Sequence, residues 1–166
     1  MQSVQAEISE FRRQLASGVI QKAYRILPGY MRDLRAYFRK RYPDHTVSGL
    51  YQGYPDMTCF AIVPPSLKHR SLKIAIVFNC EAFRFEAWLA GTNRQVQRRY
   101  WELFRDSVWT EYRVVTPSTG VDAIVECILA EDVDFGDPDS LTKRIEKKSV
   151  EFIGHIERFL SGHENG

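Results

Sequence analysis

A chain of 166 residues, 44% hydrophobic and 13% aromatic, is long enough to bury one core and too short for two ordinary domains. Charged residues at 27% beside this apolar content exclude a disordered or fibrous chain. The longest clean apolar run, Ile74 to Phe78, falls far short of the roughly 20 residues of a membrane span; with no basic leader, a cytoplasmic protein without a membrane partner is expected.

Cys59, Cys80 and Cys127 are odd in number, widely spaced and set in apolar surroundings, as reduced thiols are, and not as a disulfide framework is. The net charge of +2 is unevenly spread. Residues 1 to 41 hold nine Lys or Arg against three acids, whereas residues 122 to 166 hold five against eleven. Complementary packing of the two ends is the expected use of this asymmetry; contact with an anionic partner is the other.

The opening run SVQAEISEFRRQLASG sets Val4, Ile8, Phe11 and Leu15 at helical spacing and stops at Gly18. A second helix is predicted from about Val19 to Tyr42, with a stripe of Ile20, Ala23, Tyr24, Leu27, Met31, Leu34 and Phe38. Pro28 and Gly29 should kink or divide it, and Pro43 should end it. From Thr46 to Ala90 the period becomes alternating and β-branched and aromatic residues increase, which predicts strands near 46–53, 56–63, 72–80 and 83–90. Tyr54-Pro55-Asp56 should turn between the first two, and PPSLKHRS should form a longer connection with a helical turn.

A hairpin loop within 79–82 would set Phe78 opposite Phe83, Ile76 opposite Phe85, Ile74 opposite Ala87 and Leu72 opposite Leu89. The reverse side would then place Val77 by Arg84, Ala75 by Glu86 and Lys73 by Trp88. Gly91 marks a switch to a helix over about 93–106, with Thr92 and Gln95 as a capping box and Val96, Tyr100, Leu103 and Phe104 buried. A short strand is expected over Tyr112–Val115. Residues 121–130, VDAIVECILA, suit either helix or strand, with strand preferred. The last helix should start at Asp137 and Pro138, bury Leu141, Ile145, Phe152, Ile156 and Phe159, and end at Gly162. The pattern predicts a single α+β domain: an antiparallel sheet of about five or six strands with N-terminal helices, a middle helix and a long C-terminal helix packed on it.

The segments SGLYQGYPDMTCF and LKIAIVFNCEAFRFEAWLAGTNRQVQRRYW resemble an uncharacterised bacterial family described only as a domain of unknown function, and the resemblance covers nearly the whole chain. It implies no catalytic residue, cofactor or substrate.

The candidate site is therefore read from the residues. Arg84, Glu86, Trp88 and Lys73 share the mixed face of the central hairpin, which, depending on the pairing of the earlier strands, would also receive Gln52, Tyr54, Asp56 or Thr58. A carboxylate beside Ala75 and flanked by aromatics is a candidate acid or base, making Glu86 the best catalytic candidate and Arg84 an anion clamp. The plainer reading is a solvated Arg–Glu ladder with ordinary stacking. Asp56, Glu86 and Lys73 lack the spacing of a metal-dependent nuclease, Asp134-Phe135-Gly136 stands without the other kinase motifs, and the four histidines show no ligand spacing, so no metal and no cofactor are expected. Arg32, Arg35 and Arg39 on the second helix and Arg94, Arg98 and Arg99 on the third are the nucleic-acid candidates. The expected function is a non-catalytic ligand-binding or interaction module with a small-molecule or protein partner. An enzyme acting on a small or phosphorylated substrate is the alternative, and nucleic-acid binding the second alternative.

Overall fold

The computed structural model describes residues 3–53, 57–117 and 122–163. Helix α1 (Val4–Ala16) starts at Ser3, whose hydroxyl accepts from the Ala6 amide, and Gly18, at φ 73°, turns the chain into α2 (Val19–Arg41). Of the two outcomes expected at Pro28 and Gly29, a kink or a division, division does not occur: α2 runs continuously through Pro28. A proline inside a helix costs about 3 kcal/mol, but Pro28 is itself buried and Tyr30, Met31, Leu34 and Phe38 beyond it enter the core. Their burial outweighs the lost backbone bond.

The first predicted strand is two short ones, β1 (Thr46–Val47) and β2 (Tyr51–Gln52), both paired with β3 (Met57–Val63). Ser48 causes the interruption: its hydroxyl accepts from the Ala61 amide, and its own amide donates to the Ala61 carbonyl. A side chain thereby replaces the ladder acceptor at that point. The predicted turn at Tyr54–Asp56 lies outside the described residues. Helix α3 (Pro65–Lys68) forms the expected helical turn before β4 (Leu72–Asn79) and β5 (Arg84–Gly91).

The β4–β5 register is two residues from the predicted one. Phe78 faces Phe85, Ile76 faces Ala87, Ile74 faces Leu89 and Leu72 faces Gly91. The reason is the turn, which occupies 80–83: the Asn79 carboxamide oxygen accepts from the Glu81 and Ala82 amides, both at 3.0 Å, and Phe83 takes φ 52° outside the strand. A shift of two keeps the side chains of β4 and β5 on their predicted faces, because the pleat repeats every two residues; Phe83, expected to face inward opposite Phe78, instead sits in the turn and is 59% exposed. Ile74, Ile76, Phe78, Phe85, Ala87 and Leu89 are all fully buried.

Helix α4 (Arg94–Arg105) begins one residue later than expected, with Asn93 and not Thr92 as its cap; the Asn93 side chain accepts from the Val96 amide. Then come β6 (Arg113–Val114), β7 (Val125–Ala130) and α5 (Pro138–His163). The ambiguous segment is thus a strand over its second half, and residues 118–121 lie outside the described ones. Asp137 caps α5 through the Ser140 amide, as expected. Gly162 does not end the helix: His163 continues it, stacking its ring on Phe159 at 4.1 Å between centroids.

The seven-stranded sheet is antiparallel throughout, in the order β1-β3-β4-β5-β7-β6, with β2 beside β1 on β3. The buried residues of α2, α3, α4 and α5 join one cluster with Phe60, Ile62, Ile74, Ile76, Phe78, Phe85, Ala87 and Leu89. All four helices therefore lie on one face. Between the basic start and the acidic end, the ion pair found among the described residues is Arg41 with Glu146 at 3.5 Å, beside the neutral Tyr37 and Tyr42 hydroxyls, which donate to the same carboxylate at 2.6 Å.

Candidate functional site on the helix-free face of the sheet

The pairing places the reverse face in rows. One runs Tyr51, Cys59, Val77, Glu86, Ile128; the next runs Ala61, Ala75, Trp88, Glu126, Arg113. Met57, Asn79 and Arg84 line up above them. An antiparallel sheet with one face in solvent ordinarily carries polar side chains there. Here the centre is instead small or apolar: Cys59, Ala61, Ala75, Val77 and Trp88 are buried or half-buried beside one another.

Glu86 is the polar exception, and it is shut in. It is 2% exposed. The Asn79 amide donates to one carboxylate oxygen at 3.1 Å and an Arg84 terminal nitrogen to the other at 3.3 Å. Arg84 spans onward to Glu131 at 3.4 Å. The buried carboxylate thus has a cation and an amide, the pairing that makes its burial tolerable. Two buried donors on this face, Arg84 Nε and Trp88 Nε1, have no acceptor among the described residues.

Arg84, Glu86 and Trp88 do share a face, as expected, but the shifted register changes their neighbours. Trp88 faces Ala75 and Lys73 faces Ala90, so Lys73 stands beyond Trp88 at the opposite end from Arg84. Tyr54 and Asp56 lie outside the described residues, and Thr58, with its partner Gln52, falls on the opposite face, because alternation along β3 sets Thr58 with buried Phe60 and Ile62 and opposite Phe78. Lys73 acts on Cys59: burial pushes that thiol up, with Lys73 pulling the other way. A thiol held protonated is a poor nucleophile.

The arginine candidates do not form one surface. α2 packs by β1 and β3 and α4 by β5 and β6, toward opposite edges of the sheet. Arg35 donates to the Ser48 carbonyl, leaving Arg32 and Arg39 as the exposed members on α2. On α4, Arg98 pairs with Glu102 at 3.0 Å and Arg99 lies over Tyr100, while Arg94 is exposed.

A polar array on the helical side escaped the sequence reading. The Tyr112 hydroxyl and His155 Nδ1 share a 2.7 Å hydrogen bond, and His155 Nε2 lies 3.6 Å from Glu111. Burial, then Cys127, Glu151 and Glu111, push the Tyr112 phenol up to about 12, so it stays protonated. The partners are 43 residues apart, a separation without a sequence signature.

Residues 4–160 match the model of a family described as Domain of unknown function (DUF7000). The chain belongs to this family. No curated protein and no solved structure matches it. Among the described residues of this DUF7000 domain, no helix is long and apolar enough to cross a membrane.

Proposed function

We propose that this DUF7000 domain is a non-catalytic binding module of the cytoplasm that presents the helix-free sheet face to a small-molecule or protein partner. The observation that carries this reading is the half-buried apolar part of that face, where Cys59, Ala61 and Ala75 lie beside Trp88. A partly exposed apolar patch rimmed by polar residues is typical of an interaction surface, and Glu126, Arg113, Arg84 and Lys73 supply such a rim. The small alanines leave relief on which an apolar group can sit against the indole. The reduced thiols Cys59, Cys80 and Cys127 fit a reducing compartment.

Binding is favoured over catalysis because a general acid or base must come within hydrogen-bond reach of its substrate. Glu86 is enclosed and holds Asn79 and Arg84. The test is a ligand and peptide screen by thermal shift, run in parallel on wild type and Ala75→Arg, since a ligand selective for the folded state raises the melting temperature. Ligands that stabilise wild type and fail on the arginine variant support the reading. Ligands that stabilise both equally, or any turnover abolished by Glu86→Gln, defeat it.

A further inference from the structure

α1 is alone among the described helices in having no buried residue. Val4, Ile8 and Phe11 are 76%, 56% and 49% exposed, although with Leu15 they form a single apolar stripe. A helix of this length is marginal without tertiary packing. Phe11 and Leu15 line one side of an open groove whose other side is Ile20, Gln21, Tyr24 and Arg25 of α2. The stripe thus has a partly built seat and no occupant from its own chain among the described residues.

The stripe has the four-three-four spacing of a coiled-coil seam, in which the residues flanking the seam set partner and orientation. Glu7 flanks it on one side and Arg12 on the other. When two such helices lie side by side in the same direction, Glu7 of each falls against Arg12 of the other, giving two ion pairs about one two-fold axis. Laid in opposite directions, Glu7 would meet Gln14 and Arg12 would meet Gln5. Glu10 and Arg13 are already paired within the helix at 2.6 Å, whereas Glu7 and Arg12 have no ion-pair partner among the described residues. Being on opposite flanks, Glu7 and Arg12 of one helix cannot reach each other.

We propose that the α1 stripe is the docking surface for a second copy of this chain, the two α1 helices lying parallel with Glu7 against Arg12 across the seam and Ile20 and Tyr24 of α2 closing the sides.

Sedimentation of the full-length protein over a concentration series tests this. Wild type is expected to dimerise. Ile8→Asp, at a position exposed in the single chain, is expected to raise the dissociation constant at least about tenfold, with the melting transition of the body unchanged. Glu7→Arg and Arg12→Glu are each expected to weaken the dimer several-fold, more at low salt. An equimolar mixture of Glu7→Arg and Arg12→Glu should restore it, because the arginine introduced in one chain then faces the glutamate introduced in the other. A wild type that stays monomeric, a dimer indifferent to Ile8→Asp, or a mixture no tighter than its components would each overturn the proposal; the last specifically rejects the parallel arrangement.

Discussion

Glu146 of α5 accepts a 2.6 Å hydrogen bond from the hydroxyl of Tyr42, the residue that ends α2. Tyr37 donates to the second carboxylate oxygen, also at 2.6 Å. These bonds tie together the two helices that flank the core in sequence. Burial pulls the Glu146 carboxyl upward, but Tyr37, Tyr42 and Arg41 outweigh it and hold it below its usual value of 4.5. Its contribution to stability is therefore present above the unfolded glutamate range and lost as pH falls through the lower folded value. Hydrogen bonding to Glu146 raises Tyr37, and burial followed by the same carboxylate raises Tyr42. Their contribution is present below the unfolded phenol range and lost as pH rises through the folded values. Glu146→Gln should cost about 1–2 kcal/mol at neutral pH and flatten the acid slope of stability, measured by urea unfolding at a series of pH values. An unaltered acid slope would show that the clamp carries no pH dependence.

A second prediction concerns the enclosed pair on the sheet. Arg84→Met leaves the Glu86 carboxylate buried with only Asn79 to satisfy it, and breaking a buried pair on one side costs about 3–5 kcal/mol. Because Arg84 is 25% exposed and shared with Glu131, about 3 kcal/mol is expected. Adding Glu86→Gln removes the stranded charge and should recover part of the loss. Denaturant midpoints of the two single variants and the double variant check this; strict additivity would mean that the two groups are not coupled.

The faces of β4 and β5 were legible because apolar alternation survives any shift by two, and for the same reason the register was not. What fixed it was Asn79, whose side chain caps the turn and moves it one residue along. Pro28 does not divide α2 because propensity is local, whereas the packing of Met31 and Leu34 is tertiary. The site was half legible: Arg84, Glu86 and Trp88 lie on one face as alternation requires. The enclosure of Glu86 depends on cross-strand neighbours, which no single segment encodes. The uncovered α1 stripe is likewise a fact about absent packing, since an amphipathic pattern reads the same whether its partner is this chain or another.

Ser149 provides a third prediction. It is fully buried in α5, and its hydroxyl has no hydrogen-bond partner among the described residues. A buried hydroxyl without a partner costs about 1–3 kcal/mol, and alanine is close in size and a better helix former. Ser149→Ala should raise stability by about 1 kcal/mol, read as a higher urea midpoint with an unchanged slope. A fall in stability would place a partner on the hydroxyl.

The junction between β5 and α4 gives a fourth, in which one substitution has opposite signs at two sites. Replacing glycine by alanine stabilises by about 0.4–1 kcal/mol where the backbone and the space allow it, through the entropy of the unfolded chain. At Gly154 in α5, an added methyl meets nothing within 4 Å. At Gly91 it would lie 2.5 Å from the Gln97 amide nitrogen and 2.9 Å from its Cα. Those are backbone atoms of the first turn of α4, and they cannot rotate away. The same turn is anchored to the strand, since the Gln97 side chain accepts from the Gly91 amide at 2.7 Å and donates to the Asp122 carbonyl at 3.0 Å. Gly91→Ala must push α4 off the sheet edge or break these bonds, at about 2–3 kcal/mol. Gly154→Ala should raise the melting temperature while Gly91→Ala lowers it. Equal effects at both positions would mean that α4 sits on the strand more loosely than these distances require.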